Sequence, residues 1–575
     1  MPIKNRSGNI WLIALAGCLL QFLLFASLYF TRIDEGHFFY NFKSFPGSLV
    51  SRSNPDFFRW CLEYAFCFCV FLYLVKATKS KLWIILISII YLVLTVFQIY
   101  YFTLWKIYGE IPIFSYDWAL FLRVLPIFVR TMGINPNFIY LIILLSILII
   151  FSMVYFIHLE IAKRTISLQV KTIFGFSFFF FLVPLLLKSI IPQAPESNQT
   201  KSAIVWVTQN MVQTFTMDRI KTLGDTIDTN NYQEYFKNNL KTKPNILLIF
   251  IEAYGSVIGS TSPYNKEYID QLNQIQEHLS AHNWKSVSAL SNSTILGGRS
   301  WLGFTSLISG IRIDNHPAYE KLISDHQDYP HFISLLNQNK YHTYRLNTMA
   351  NFGDDFKELD EKAGNYFQCS TWTRYNNLPY QGYRYDYFGG IPDQYALNYW
   401  DEQVLNKKQE PYFLFFITLN THAPFYLPPP LVENWKDLDA IQKSPHQSVR
   451  SESPKPMERY SQEVHYILSV LEKYILEKAD SNTMIILVGD HQPAGMEYQL
   501  NNKTDLYACP MHIITKDSAW ENILVKKGFE KGMVPLFKPG SLLTHEGFYS
   551  FLMNAWAERD SLPVEYKVFP NGIAY

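Results

Sequence analysis

The sequence contains few cysteines, and their distribution excludes a protein held together by a disulfide framework. Six cysteines occur in 575 residues, and four of them lie in apolar segments near the N-terminus: Cys18, Cys61, Cys67 and Cys69. Only Cys369 and Cys509 fall in the more polar part of the chain, where one disulfide between them is allowed but not required. Cysteine usage therefore leaves the redox compartment open.

An excess of charge of either sign is also missing. Lys and Arg together number 50 against 49 Asp and Glu, which gives a formal net charge of +1, and no basic tail or stripe is visible. This balance argues against a nucleic-acid partner. Internal repeats and low-complexity tracts are absent as well.

Hydrophobic residues, in contrast, are abundant and unevenly distributed. They make up 49% of the chain against 17% for charged residues, and roughly the first 190 residues are the most apolar. Five apolar runs approach the ~20 residues needed to cross ~30 Å of hydrocarbon. We therefore predict a transmembrane domain of five helices over residues 1–190, near 10–30, 58–76, 82–104, 137–158 and 171–190. The first helix has no convincing signal-peptide cleavage site, so we expect it to be retained.

Basic residues in the short loops predict the orientation of these helices. They precede the first span and separate spans two and three and spans four and five: Lys4, Arg6, Lys76, Lys79, Lys81, Lys163, Arg164 and Lys171. Such clusters belong on the cytoplasmic side, so an odd number of spans places the rest of the chain outside the cytoplasm. Two features have open alternatives. Glu63 is either a functional intramembrane acid or an interfacial one, and segment 105–136 contains either a membrane-surface helix or a short soluble one.

Residues 191–243 are polar and mixed, which is typical of a linker, and residues 244–575 have the composition of a globular domain. In that domain, strand candidates alternate with helical stretches, a pattern that predicts an α/β fold with a mostly parallel sheet and flanking helices. The strand candidates are 245–251, 341–346, 411–419, 483–489 and 511–515. Ligands bind at the carboxyl ends of strands in such sheets, so the residues that follow the strands are the candidates for chemistry.

Three of these strands lead to residue types that bind metals or transfer protons. The first ends at Glu252, the third is followed by His422, and the fourth ends at the pair Asp490 and His491. Carboxylate oxygen and imidazole nitrogen suit zinc or manganese. His422 is a candidate for a second metal ion, a substrate phosphate or the leaving-group acid. Each residue also has a structural alternative, as a loop acid, a helix cap or a hydrogen-bonded turn residue.

A nucleophile candidate lies in the stretch Gly-Gly-Arg-Ser-Trp-Leu-Gly-Phe-Thr-Ser-Leu at 297–307. Paired glycines lead into a predicted helix with Ser300 in its first turn, where the helix N-terminus favours an alkoxide or a bound phosphate. Arg299 beside it is a candidate substrate contact. The alternative is that Ser300 only caps the helix. Thr294 and Thr305 are weaker nucleophile candidates, and His545 is a lesser candidate for substrate binding.

The order of these residues resembles the alkaline phosphatase superfamily. Glu252, Ser300, His422 and the Asp490–His491 pair follow one another behind predicted membrane spans, as in membrane-anchored lipoteichoic acid synthases and phosphoethanolamine or phosphoglycerol transferases. The Gly-Asp-His triplet at 489–491 and the Asn-Thr-His-Ala-Pro-Phe stretch at 420–425 are its most specific parts.

The resemblance implies a catalytic site and a cellular location. One divalent ion, zinc or manganese, would be held by the family's ligand set, which falls on Glu252, Ser300, Asp490 and His491. The family's nucleophile falls on Ser300 and its substrate-side histidine on His422. Its variable segment falls near Arg345, which is a candidate to bind a substrate phosphate. The family further implies a multi-pass protein of the bacterial inner membrane with a periplasmic catalytic domain.

Three departures from the family pattern concern the transferred group and the acceptor. Synthases usually carry threonine where this chain has Ser300, a Trp-Asn-Arg-like motif is absent near 347–356, and the many disulfides of some phosphoethanolamine transferases are absent. A sulfatase reaction is disfavoured as well, because formylglycine formation needs Cys or Ser followed by x-Pro-x-Arg, and Ser300-Trp-Leu-Gly-Phe lacks it.

The sequence thus predicts a metal-dependent transferase that moves a phospholipid headgroup through a covalent Ser300 intermediate onto an envelope glycan or lipid. A hydrolase of the same fold, with water as the acceptor, is the first alternative. A non-catalytic component of envelope assembly is the second.

Overall fold

The computed structural model describes most of the C-terminal half and parts of the N-terminal half. In the C-terminal half, it describes residues 240–572 except 261–262, 326–327, 350–352, 385–389, 406–410, 424, 426, 443–455, 495, 497–499, 501–503 and 563–567. In the N-terminal half, it describes residues 15–17, 19–20, 23–24, 60–78, 80–108, 112–114, 117–118, 136–163, 172, 175, 200–201 and 211. The chain divides into two compact units, Met1–Lys106 with Glu110–Asp218 and Ile107–Gly109 with Arg219–Tyr575. The predicted domain bounds at 190 and 243 stay predictions.

Long apolar helices dominate the described part of the first unit: Leu62–Thr78 (α1), Leu82–Tyr108 (α2) and Pro136–Lys163 (α3). A short parallel pair joins Trp60–Cys61 (β1) to Thr200–Lys201 (β2). In the part of this unit that is described, Leu82–Tyr101 and Tyr140–Lys163 are long and apolar enough to cross a membrane. The spans predicted near 10–30 and 171–190, segment 105–136 and the side chain of Glu63 lie largely or wholly outside the described residues. The five-helix bundle therefore stays a prediction.

A mixed sheet forms the centre of the second unit. Its strands are Asn245–Ile251 (β3), Lys285–Asn292 (β4), His342–Asn347 (β5), Thr371–Thr373 (β6), Tyr412–Ile417 (β7), Thr483–Gly489 (β8), Ala508–Thr515 (β9), Glu530–Lys531 (β10) and Leu543–Thr544 (β11). The strand order is β10-β4-β9-β8-β3-β7-β5-β6, and β11 pairs with β4. The five strands from β8 to β6 are parallel, whereas β9 is antiparallel to both of its neighbours.

Helices connect these strands. They are Val257–Ser260 (α4), Asn265–Ala281 (α5), Ser300–Ser309 (α6), His316–Asp325 (α7), Phe332–Gln338 (α8), Gly353–Phe367 (α9), Asp393–Tyr399 (α10), Pro456–Glu477 (α11), Ser518–Lys526 (α12) and His545–Arg559 (α13). The predicted α/β domain with a mostly parallel sheet is confirmed. The sequence prediction missed β4, which is rich in serine, and the short strands β6, β10 and β11, which have only two or three residues each.

Hydrophobic cores lie on both faces of the sheet. In β3, Leu248 and Phe250 pack into one core while Leu247 and Ile249 pack into the other. Burial on both faces explains why this strand is a continuous apolar run rather than an alternating one. Among the described cysteines, Cys369 and Cys509 are free thiols, so the disulfide that the sequence allowed is not formed.

Register in the central strands determines where the candidate residues meet. Ile251 of β3 is paired with Gly489 of β8, and Phe250 of β3 with Ile417 of β7. The carboxyl ends of these three neighbouring strands therefore lie side by side at one edge of the sheet.

Candidate active site

Adjacent strand ends bring three predicted metal ligands together. Glu252 follows β3, and Asp490 and His491 follow β8; one ligand atom from each lies within 4.8 Å of the others, and all three residues are buried. The Nε2 atom of His491 is 3.3 Å from Glu252 Oε1 and 3.7 Å from Asp490 Oδ2. The cluster therefore places two carboxylates and one imidazole around a common point.

Ser300 approaches this cluster from the start of α6. Gly298 and Arg299 both have positive φ, at 62° and 57°, and this left-handed turn delivers the first residue of the helix to the site. The Ser300 hydroxyl donates to Glu252 Oε2 at 2.9 Å and lies 3.1 Å from His491 Nε2. The helix N-cap is Arg299, one residue earlier, so the hydroxyl points to the carboxylate instead of serving as the N-cap.

His422 stands at the more open side of the cluster. Its Nε2 atom is 3.9 Å from Glu252 Oε1, and its side chain is 21% exposed against 4% for Glu252. The Nδ1 atom lies 2.6 Å from the carbonyl oxygen of Ala423. Since a carbonyl only accepts, Nδ1 carries a proton there and Nε2 is the atom that faces the site.

Two residues that the sequence prediction missed hold this arrangement together. Buried Asp393, at the start of α10, accepts the backbone N–H groups of Leu419 and Asn420 at 2.9–3.1 Å. The hydroxyl of Thr418 accepts the backbone N–H of Glu252 at 3.1 Å. Asp393 lies outside every motif, and only its hydrogen bonds to the loop before His422 identify it.

Three predicted substrate contacts have other surroundings. Arg299 is buried at the turn before Ser300. The Arg345 guanidinium packs 4.2 Å from the Trp372 ring and 5.6 Å from the Phe415 ring, and its contact with a substrate phosphate stays a prediction. His545 is fully buried, and both of its ring nitrogens contact protein groups behind the cluster.

The unused atoms of the cluster fit a divalent cation. Asp490 Oδ1 accepts the backbone N–H of Ala253 at 2.8 Å, whereas the buried Oδ2 has no hydrogen-bond partner among the residues described. The Nδ1 atom of His491 donates to the carbonyl of Gln492 at 2.7 Å, which leaves Nε2 facing Ser300. An oriented imidazole, two carboxylates and a hydroxyl form a donor set that suits zinc or manganese.

Charge coupling inside the cluster is strong. Burial opposes ionisation of Glu252, but the facing His422 and His491 outweigh it and lower the pKa of Glu252 to about 2. Burial and the charge of Glu252 raise the pKa of Asp490 to about 8. Burial opposes the charge of His491, but Asp490 and Glu252 outweigh it and raise the pKa of His491 to about 9. The metal-free cluster therefore binds protons where an ion would otherwise sit.

Metal binding should consequently depend on pH. The stability that protonated Asp490 and His491 contribute is complete below their unfolded pKa values of 3.8 and 6.5, and it is lost as pH rises through about 8 and 9. An ion needs both groups deprotonated. We expect Mn²⁺ to raise the Tm of the full-length protein more at about pH 8.5 than at about pH 6. A metal-induced shift that does not change with pH would contradict the assigned ligands.

Comparison with known proteins agrees with this geometry. Residues 244–523 match the family model described as Sulfatase. These residues are similar to the sulfatase family. The resemblance to the alkaline phosphatase superfamily, predicted from the order of the site residues, is therefore confirmed. No curated protein sequence matches the chain significantly.

Solved structures resemble the sulfatase-family domain at low sequence identity. The lipoteichoic acid synthase LtaP from Listeria monocytogenes is 14% identical, with 60% of this chain and 77% of that chain covered and a TM-score of 0.37. The C-terminal periplasmic domain of EcEptC from Escherichia coli in complex with Zn is 12% identical, with 58% and 84% covered and a TM-score of 0.35. Streptococcus pyogenes phosphoglycerol transferase GacH is 12% identical, with 49% and 71% covered and a TM-score of 0.29. At such identities, these similarities do not define the reaction of this chain.

Proposed function

We propose that this protein is a membrane-anchored, metal-dependent phosphotransferase of the bacterial inner membrane. It would transfer phosphoglycerol or phosphoethanolamine from a phospholipid to an envelope glycan or lipid through a phosphorylated Ser300. The observation that carries the proposal is the Ser300 hydroxyl, which lies 2.9 Å from Glu252 and 3.1 Å from His491 at the buried cluster. The long apolar helices of the same chain support a lipid donor.

In the first step, Ser300 Oγ attacks the phosphorus of the headgroup phosphodiester. The new Oγ–P bond replaces the bond between phosphorus and the diacylglycerol oxygen. The Ser300 proton moves toward Glu252, which already accepts a hydrogen bond from the hydroxyl. His422, at the open side, starts the step with a proton on both ring nitrogens and gives the one on Nε2 to the departing diacylglycerol oxygen.

In the second step, an acceptor hydroxyl attacks the same phosphorus. His422 takes the proton of that hydroxyl, the Oγ–P bond breaks, and Ser300 regains its proton from Glu252. A divalent ion held by Glu252, Ser300, Asp490 and His491 would supply positive charge that favours the serine alkoxide and neutralises the phosphoryl oxygens. The protein groups that these two steps use therefore all lie at this edge of the sheet.

Mass spectrometry of the Ser300 peptide tests the proposal. The full-length protein would be incubated in nanodiscs that contain phosphatidylglycerol or phosphatidylethanolamine and then digested. We expect the Ser300 peptide to gain the mass of glycerophosphate or phosphoethanolamine, which would identify the group. Free headgroup or inorganic phosphate without a modified acceptor would favour the hydrolase. A chain that binds no divalent ion and forms no adduct would support a non-catalytic role.

His422 should affect the rate but not the binding of the ion. Its Nε2 atom is 3.9 Å from Glu252 Oε1 and faces the more open side of the site. We expect His422→Gln to lower kcat by about 10²- to 10⁴-fold, the range for a lost acid–base group, with unchanged affinity for Mn²⁺. Exposed His278, which pairs with Glu472, provides the control variant His278→Gln. A large loss of metal affinity in His422→Gln would instead make His422 a metal ligand.

A further inference from the structure

We infer that His545 is a positioning residue that orients the metal ligand Asp490 through the backbone of Gly489. The inference rests on the metal site of the proposed function and assigns a role to a histidine that is remote from the open side. His545 is the first residue of α13 and is fully buried. Its Nε2 atom lies 2.9 Å from the carbonyl oxygen of Gly489, and its Nδ1 atom lies 2.9 Å from the hydroxyl of Ser291 on β4.

These two contacts determine which nitrogen of His545 carries the proton. A backbone carbonyl only accepts, so Nε2 must donate to Gly489. Burial lowers the pKa of His545 to about 4, so the ring is neutral and Nδ1 accepts from the Ser291 hydroxyl. The ring is therefore held from both sides, with its one N–H directed at the residue that precedes Asp490.

The chain at Gly489 passes too close to its neighbour to tolerate a side chain. A Cβ atom at Gly489 would lie 1.8 Å from the carbonyl oxygen of Tyr254. Tyr254 lies two residues after Glu252. The two ligand-bearing turns, one with Glu252 and one with Asp490, therefore pack directly against each other. A small rotation of the Gly489 peptide would therefore displace Asp490 relative to Glu252.

The peptide on the other side of Asp490 is held in the same way. The hydroxyl of Ser293 donates to the carbonyl oxygen of Asp490 at 2.5 Å, and the N–H of Ala253 donates to Asp490 Oδ1 at 2.8 Å. Only Oδ2 is left, and it lies 3.7 Å from His491 Nε2. His545, Ser293 and Ala253 together fix the direction in which the remaining carboxylate oxygen points.

Another buried histidine of similar bonding provides a matched control. The Nε2 atom of His331 lies 2.9 Å from the carbonyl oxygen of Tyr366, and its Nδ1 atom accepts the N–H of Ser334 at 3.2 Å. Its contacts are with α8 and α9 and not with a ligand-bearing turn. A purely structural role for buried histidines predicts the same behaviour at both positions.

Substitution of His545 by asparagine or by glutamine distinguishes the effects of its two contacts. The amide nitrogen of glutamine reaches the position of imidazole Nε2 and preserves the donor to Gly489, whereas asparagine reaches only the position of Nδ1. Mn²⁺ and Zn²⁺ would be titrated separately into the full-length variants in detergent, with Tm and kcat measured in parallel. We expect His545→Asn to weaken metal binding by about 10- to 100-fold, as for other outer-shell partners, and His545→Gln to restore most of it.

Two further variants keep the test decisive. His331→Asn should lower Tm but leave metal affinity unchanged. Ser291→Ala keeps the imidazole but removes the hydroxyl that orients it, and it should weaken metal binding by about tenfold, the lower end of that range. This variant tests the inference even if His545→Asn does not fold. Equal metal affinities for His545→Asn, His545→Gln and the wild type would overturn this inference but not the proposed metal site. A wild-type chain that binds neither ion would overturn the proposed metal site as well.

Discussion

Ser300→Ala is expected to lower turnover by a factor on the order of 10⁴ or more, as is typical when a nucleophile is removed. The physical reason is that the Ser300 hydroxyl supplies the attacking oxygen of the proposed covalent step. The Ser300 hydroxyl is bonded to Glu252 and lies beside His491, so its loss removes a reacting atom and few packing contacts. We therefore expect an unchanged fold by circular dichroism and no mass adduct after incubation with either phospholipid.

Thr305 supplies the matched control for this variant. It lies in the same helix, α6, and its buried hydroxyl has no hydrogen-bond partner in the described part of the chain. Thr305→Val preserves shape and should retain full activity. Ser300→Thr keeps a hydroxyl and should retain measurable turnover. Full activity in Ser300→Ala would reject Ser300 as the nucleophile and, with it, the two-step mechanism.

Asp490→Asn is expected to have opposite effects on metal binding and on metal-free stability. The change removes one negative charge from the cluster, and we expect Mn²⁺ binding to weaken by more than about 100-fold, beyond the usual cost of losing an outer-shell partner. The asparagine oxygen can still accept the N–H of Ala253, which Asp490 Oδ1 accepts in the wild type. The local backbone should therefore stay in place.

Metal-free stability should rise in the same variant at alkaline pH. Burial and Glu252 raise the pKa of Asp490 to about 8, so the wild-type protein loses stability as pH rises through that value. Asparagine does not titrate and avoids this loss. We expect a higher Tm than wild type in chelator at about pH 8.5 and a smaller difference at about pH 6.

A buried carboxylate elsewhere in the fold tests whether this effect is specific. Asp401 accepts a hydrogen bond from the hydroxyl of Tyr474 at 3.1 Å, and Asp401→Asn should leave metal affinity unchanged. Unchanged Mn²⁺ affinity in Asp490→Asn would remove Asp490 from the ligand set. A lower metal-free Tm at every pH would show that the carboxylate stabilises the cluster instead of repelling Glu252.

The meeting of Glu252, Asp490 and His491 could be predicted because these residues follow strands that are buried on both faces. Such strands are visible as short apolar runs, and their carboxyl ends are where α/β sheets place ligands. Glu252, Asp490 and His491 were identified in this way. Ser300 was identified from the glycine pair before a helix, although the sequence left open whether its hydroxyl would cap that helix.

The supporting residues could not be predicted in the same way. Asp393 and Thr418 act through hydrogen bonds to backbone groups of distant segments, and nothing in their local sequence marks such a contact. Substrate contact stays a prediction for Arg345 and His545, whose surroundings the sequence did not show. In the structure, Arg345 packs against aromatic rings and His545 contacts the strand behind the cluster. The order of residues along the chain does not show which face of the sheet a side chain occupies.

The sequence by itself determined the α/β domain, the strands that end in metal-type residues and the resemblance to the alkaline phosphatase superfamily. Apolar runs and turn residues encode these features locally, so they can be identified from one chain. Only the tertiary structure decided that β8, β3 and β7 are neighbours, that the Ser300 hydroxyl faces Glu252, and that β4 and the residue after it support the cluster through Ser291 and Ser293. Strand order and hydroxyl orientation depend on contacts between residues far apart in the chain, and no local pattern specifies them.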